Sequence, residues 1–146
     1  MKKVIGRRDK IDLPELGLLN IDAKIDTGAY GSALHCHHIE VVKIKDQHVL
    51  TFKLLDPSHP EYNDKVFTFE SYGDRIVKSS SGQSEHRYTI KTQIKVFKKK
   101  YTVEFSLTDR GGMKYPILLG RKFLNKRYIV DVHFKDISYE MKQQEI

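Results

Sequence analysis

The segment Asp26-Thr27-Gly28-Ala29 sets a carboxylate, a hydroxyl, a glycine and a small side chain in a row, directly after the apolar alternation Ile21, Ala23, Ile25. Alternation at a period of two reads as a half-buried strand, and the glycine behind it as a turn. Asp26 is therefore predicted where a strand ends in a tight turn, a place from which a carboxylate can act as general base or acid. Gly28 would let the backbone approach closely and take angles that a side chain forbids. On its own the tetrapeptide fits an ordinary Asp-Thr-Gly turn just as well. A second group of residues lies about ninety positions further on: Ile117-Leu118-Leu119-Gly120, then Arg121-Lys122-Phe123-Leu124. Two apolar residues and a glycine followed by a short helical turn could seat such a loop.

Other chemistries find little support. A phosphate loop would need a glycine-rich run ending in Lys and Ser or Thr, and His-Glu-x-x-His would be needed for a zinc peptidase helix; neither is present. The run His35-Cys36-His37-His38 is the one metal-like cluster. In a strand, His35 and His37 would face one way and Cys36 and His38 the other, so at most two could meet one ion. A strand with exposed histidines accounts for it, and no metal or other cofactor is expected. Cys36 is the only cysteine, which excludes an internal disulfide and a multi-cysteine zinc site.

The elements that must position Asp26 read as strands. The chain has 146 residues, the size of about one domain, and 1–146 is taken as a single domain. Apolar residues make up 39%, without tryptophan but with eight tyrosines and seven phenylalanines to fill a modest core. Short strands are expected around residues 2–8 and 21–26, then His38 to Lys45, Val49 to Leu55, Val66 to Glu70, Arg75 to Ser80, Glu85 to Phe97 and Tyr101 to Thr108. Ile117 to Leu119, Tyr128 to Val132 and Ile137 to Met141 complete the set, with one short helix from Gly120 to Asn125. Asp56-Pro57-Ser58-His59-Pro60 opens a polar loop, and Arg110-Gly111-Gly112-Met113 reads as another. The predicted class is all-β. No stretch has the length of a membrane span, and the basic start Met1-Lys2-Lys3 has no hydrophobic region behind it. A cytoplasmic protein is expected.

The two elements together, in this order, resemble the template of retropepsin-like aspartic peptidases. Further segments narrow the resemblance: Ile5-Gly6-Arg7-Arg8, Leu13-Pro14-Glu15-Leu16-Gly17, Ser32-Ala33-Leu34-His35, Val77-Lys78-Ser79-Ser80, Ser84-Glu85-His86-Arg87, Leu107-Thr108-Asp109-Arg110 and Tyr115-Pro116 leading into Ile117. They are similar to a bacterial retropepsin-like family, RimB-like and RimK-associated, that carries the label ATP-dependent zinc protease. The resemblance implies a closed acid-protease barrel. It also implies a dyad of two carboxylates sharing one proton, since like charges a few ångströms apart cannot both ionise easily. Only one matching aspartate is present, so the dyad implies a homodimer with Asp26 contributed by each copy. Asp26, Thr27 and Gly28 would be catalytic, Thr27 tying the active loops together through its hydroxyl, with Ala29 beside them in the cleft.

The resemblance further implies that the hairpin around Ser79-Ser80-Ser81-Gly82 is a flap that closes over substrate. Its serines and the basic residues beside it do not suit an apolar peptide. The formal net charge is +7, and surplus Lys and Arg attract anionic partners in a salt-dependent way. Ala29, Lys78, Ser79, Ser80, Arg87 and Arg121 are candidate substrate-binding residues, arginine forks being suited to carboxylates. The family occurs beside an ATP-grasp glutamate ligase, which implies polyglutamate or glutamate-rich peptides as substrate. The alternative is a non-catalytic basic β-barrel that binds anionic polymers: glutamate tails, or single-stranded nucleic acid stacked on Tyr30, Tyr62, Tyr72 and Tyr88. Basic and aromatic residues are not interleaved in an RNA-binding signature, so nucleic acid is not the expected partner, and neither is a membrane.

Overall fold

The computed structural model describes residues 2–55, 57–78, 81–109 and 114–144. The strands are β1 (Lys3–Ile5), β2 (Arg8–Leu13), β3 (Leu18–Ile25), β4 (Ser32–Ile44), β5 (Gln47–Leu54), β6 (Val66–Phe69), β7 (Gly73–Lys78), β8 (Ser84–Val96), β9 (Lys99–Thr108), β10 (Ile117–Leu119) and β11 (Tyr128–Val130). Two helices follow β10 and β11: α1 (Arg121–Leu124) and α2 (Ile137–Gln143). The predicted all-β class is what the chain adopts.

Period-two burial builds the core. Along β3, Leu18, Ile21, Ala23 and Ile25 are buried, and along β8 Ile90, Ile94 and Val96 are. They meet Leu34, Phe52, Phe105, Leu107, Ile117 and Leu119 in one apolar cluster. Burying a side chain of this size contributes about 1.5–3 kcal/mol. The strands run in the order β10-β3-β2-β8-β9-β4, and β10 also pairs with β4, so these six close into a ring. In that closure β10 lies parallel to β3 on one side, Leu119 opposite Ile25, and antiparallel to β4 on the other, Ile117 opposite Leu34.

Two long strands serve the ring and an arm outside it. The first residues of β4, Ser32 to His35, pair with β9, whereas the segment from Cys36 to Ile44 pairs with β5, which in turn pairs with β6. Likewise the segment of β8 from Thr89 onward pairs with β9, while Ser84 to Thr89 pairs with β7. The β7–β8 arm is the predicted flap hairpin. Its turn includes Gly82 at φ 84°, in the left-handed region that glycine enters without steric cost. Ser79 and Ser80 at the turn, and the loop expected at 110–113, lie outside the described residues.

Two expectations are corrected. β4 begins at Ser32, six residues ahead of the predicted start, because Ser32 to Cys36 is buried on both faces and shows no alternation. The segment Ile137 to Met141 is helix α2, not a strand, so the described residues hold two short α-helices rather than one. Ile137 and Met141 both pack against the core, and a spacing of four satisfies a helix as well as a strand. The choice is made elsewhere. Asp9, fully buried, accepts the backbone N–H of Ser138 at 2.9 Å and of Tyr139 at 3.0 Å, satisfying donors that a helix start leaves free. Ser138 Oγ accepts the Phe97 N–H at 2.8 Å, and Lys142 pairs with Asp12 at 2.9 Å.

Burial pushes the Asp9 carboxyl above the usual carboxylate range, and the N–H donors of Ser138, Lys10 and Tyr139 pull it part of the way back. Asp9→Asn would face the Ser138 or the Tyr139 N–H with a second donor. Leaving a buried donor unsatisfied costs about 1–3 kcal/mol, and each kcal/mol lowers the melting temperature of a chain this size by about 2–4 °C. Because the folded-state pKa is the higher one, the carboxyl's titration adds stability below its unfolded value and loses it as pH rises through the folded value. Thermal melts of Asp9→Asn should therefore fall below the parent's at every pH, the gap being widest at acid pH. A variant as stable as the parent would refute this role for Asp9.

Candidate active site

Asp26 follows the last residue of β3, and the strand inserted beside it fixes its backbone. The Asp26 N–H donates to the Leu119 carbonyl at 2.9 Å, extending the β3–β10 ladder by one rung. Asp26 thus lies next to Ile117–Leu119, as the two-element template requires. The loop then turns back under its own carboxylate: the Gly28 N–H donates to Asp26 Oδ1 at 3.0 Å and the Ala29 N–H to the Asp26 carbonyl at 3.3 Å. Gly28 does not take the left-handed region expected of it. It supplies room, since a Cβ there would come within 3.2 Å of Asp26 Oδ1.

Helix α1 locks the loop from the other side. The N–H groups of Arg121 and Lys122 donate to the carbonyls of Ala29 and Tyr30 at 2.9 and 2.8 Å. The Gly120 N–H donates to the hydroxyl of buried Ser32 at 3.1 Å. Arg121 Nη1 reaches the Thr27 carbonyl at 2.9 Å, with its guanidinium over the Tyr30 ring. The Thr27 side chain is exposed, and its hydroxyl meets no partner within one copy among the described residues.

Asp26 opens onto a cleft of about 710 Å³ that runs between this loop and the β7–β8 arm. Ala29, Lys78 and Arg87, all predicted from sequence, line it. Arg87 is held, however: its side chain is only 9% exposed, and Nε and Nη2 donate to Glu85 Oε2 at 3.3 and 3.0 Å. Lys78 is exposed and makes no ion pair among the described residues. Arg121 lies outside this cleft, beside Thr27 and Tyr30 in a second hollow of about 510 Å³. Sequence reasoning missed Ser32, Glu104 and Lys122 on the cleft wall, and took Arg75 only as a basic residue beside the hairpin, not as a site residue. The signal for Arg75 was available, since a hairpin closing near Ser81 pairs Arg75 with Arg87.

The histidine cluster does not converge. His35 is buried and its Nδ1–H donates to the Thr108 carbonyl at 3.3 Å; His37 Nδ1–H donates to the Leu55 carbonyl at 2.6 Å. His38 sits at φ 53° in a bulge of β4. Among the described residues no group of three or more His, Cys, Asp or Glu side chains could hold a metal ion, so the zinc in the family label finds no ligand set there. Among them, too, no helix is long and apolar enough to cross a membrane.

Residues 4–140 match the family model described as RimB-like, retropepsin-like aspartic endopeptidase RimB. Curated relatives named "Probable alpha-L-glutamate ligase" are 34% identical over 134 residues in Desulfotalea psychrophila, covering 89% of this chain, and 32% identical over 149 residues in Parasynechococcus marenigrum, covering 99%. The chain spans 28% and 31% of the length of these two relatives. A crystal structure of a Legionella pneumophila protein of unknown function superposes with a TM-score of 0.70 at 26% identity, covering 94% of this chain and 99% of the other.

The tightest packing at the site is at Gly120, where a Cβ would come within 2.7 Å of the Tyr30 carbonyl oxygen and 2.8 Å of that of Ala29. Both are backbone atoms of the Asp26 loop, so neither can swing aside. Gly120→Ala should displace that loop and lower stability by about 1–3 kcal/mol, the usual cost of overpacking. Calorimetry of the variant checks it; an unchanged melting temperature would show that the loop yields freely.

Proposed function

The chain belongs to the RimB-like family of retropepsin-like aspartic endopeptidases, and on that premise we propose that it hydrolyses peptide bonds with a dyad made of Asp26 from each of two copies. The observation that carries this is the presentation of Asp26: a carboxylate at the end of a strand, tied by its own loop, opening on a cleft roofed by a hairpin. The Gly28 N–H occupies Oδ1, which leaves Oδ2 for a water and for the partner carboxyl. One carboxylate takes a proton from water as the oxygen attacks the scissile carbonyl. The other carboxyl gives its proton to the carbonyl oxygen. The tetrahedral diol then collapses: one of its hydroxyls returns a proton to the now-charged carboxylate, the C–N bond breaks, and the protonated carboxyl gives its proton to the leaving amine. The exposed Thr27 hydroxyl and the hollow beside Arg121 form the face for the second copy.

The substrate class we propose is an acidic peptide, a glutamate-rich tail or polyglutamate. Lys78 and Lys122 line the cleft without ion pairs among the described residues, and the net charge is +7. The glutamate-ligase name of relatives that contain a matching segment supports the same choice. A receptor that binds glutamate tails without cutting them is the second reading, favoured by the share of those relatives that lies outside this segment.

Asp26→Asn should fold as the parent does and lose at least about 10²-fold in hydrolysis, within the range of acid–base contributions. Because the dyad needs two copies, activity per subunit should fall on dilution, and an excess of Asp26→Asn chains should suppress the parent more than in proportion. An Asp26→Asn protein as active as the parent would rule out the mechanism; wild-type binding without cleavage would favour the receptor. Cleavage of polyglutamate should exceed that of an apolar peptide and weaken as salt rises, since contacts to exposed cations are screened. Faster cleavage of the apolar peptide would overturn the substrate assignment.

A further inference from the structure

Two arginines face each other across the β7–β8 pairing, Arg75 opposite Arg87, and both line the Asp26 cleft. They are held differently. Arg87 is buried and its pairing with Glu85 uses two of its nitrogens. Arg75 is 43% exposed at the side chain and donates through Nη2 alone to Oε1 of Glu104, on β9, a strand that β7 does not pair with. A guanidinium has five N–H donors in a planar fork suited to a carboxylate. The remaining donors of Arg75 have no side-chain partner among the described residues. The ligand that Arg75 holds is therefore a glutamate side chain of the protein itself, in the cleft where an acidic peptide would lie.

We propose that Glu104 is a built-in occupant of a carboxylate subsite at Arg75 and is exchanged for a substrate carboxylate when an acidic peptide enters. The proposal rests on the acidic-substrate reading above. The exchange is chemically even, since one carboxylate leaves the guanidinium as another arrives. The pair is exposed on its arginine side, where ion pairs are weak enough to trade, and Glu104 keeps 21% exposure; Arg87, only 9% exposed, is not the one that opens. Glu104 is not stranded after leaving. It also lines an adjoining recess of about 140 Å³ with Lys122 and Arg127, and Lys122 makes no ion pair among the described residues. An apolar peptide has no carboxylate to offer and leaves the internal pair closed, so Arg75 and Glu104 together determine specificity. Since Arg75 is on the hairpin, the incoming carboxylate also takes over the link that had joined the hairpin to β9.

The simpler role for the pair is a strap that only braces the hairpin, and binding measurements separate the two. Polyglutamate and polyglutamine peptides of equal length are titrated into the full chain carrying Asp26→Asn, which blocks turnover, alone and combined with Glu104→Gln, Arg75→Gln or both. Exchange predicts that Glu104→Gln tightens polyglutamate binding up to about fivefold, the range of an exposed ion pair, and leaves polyglutamine unchanged. Arg75→Gln should weaken polyglutamate, and Glu104→Gln should then add nothing. Unchanged or weaker polyglutamate binding in Glu104→Gln overturns the proposal. So does tightening that reaches polyglutamine, or that persists without Arg75 as a general effect of charge. If polyglutamate binds none of the variants, the acidic-substrate reading falls and this inference with it; binding that ignores Glu104 removes this inference alone.

Discussion

The backbone hydrogen bonds of Ile117, Leu118 and Leu119 are the constraint on which the rest of the molecule depends. This short strand fills the gap between β3 and β4, parallel to one and antiparallel to the other, and without it the ring has two open edges. Ile117 and Leu119 are fully buried, so each anchors the insertion through apolar contact as well as through the ladder. The same strand supplies the acceptor for the Asp26 N–H and runs directly into Gly120 and α1, whose first amides hold the loop carbonyls of Ala29 and Tyr30. The bonds that close the fold and those that aim the carboxylate are one set. Stability and site geometry cannot be altered separately there.

Around that fixed point the cleft's two arginines are paired within the chain. Arg75 and Arg87 each have a glutamate of the chain as partner, and His86 has Asp74. Most of the charge on the arm is thus already matched before any ligand arrives, which spares the protein the cost of several like charges crowded on one narrow hairpin. Among the described residues Lys78 and Lys122 line the cleft without an ion pair, one on the arm and one on α1 beside the Asp26 loop. A long anion lying between them would meet positive charge from two sides, and the surplus of the whole chain would favour its approach.

Much of this was legible in the order of residue types. Ile21, Ala23 and Ile25 alternate cleanly because β3 buries one face, and the glycine after Asp26 marks the turn, so the Asp26 loop and its partner strand could be read from pattern. Legibility failed where burial or distance replaced pattern. Ser32 to Cys36 is covered on both faces and carries no period. α2 depends on a capping carboxylate, Asp9, 129 positions from Ser138, which no local window can contain. Arg87 was identifiable as a cleft residue, but that Glu85 already occupies it follows from which side chains share a face of the folded hairpin. Glu104 has nothing in its neighbourhood to mark it, since its partner is on another strand altogether.

β8 runs unbroken from the tip of the arm into the ring, changing partners at Thr89. The arm is therefore not an appendage on a flexible joint but an extension of a core strand, and it inherits that strand's facing. Successive residues alternate faces, so inserting one residue between Arg87 and Thr89 would turn Glu85 and Arg87 away from the cleft, whereas inserting two would restore their facing. Arms of this kind can lengthen or shorten over evolutionary time only in even steps if they are to keep the chemistry of the cleft wall. A lineage that varied its reach over the substrate would do so in pairs of residues, matched on β7, with the ring beneath unchanged.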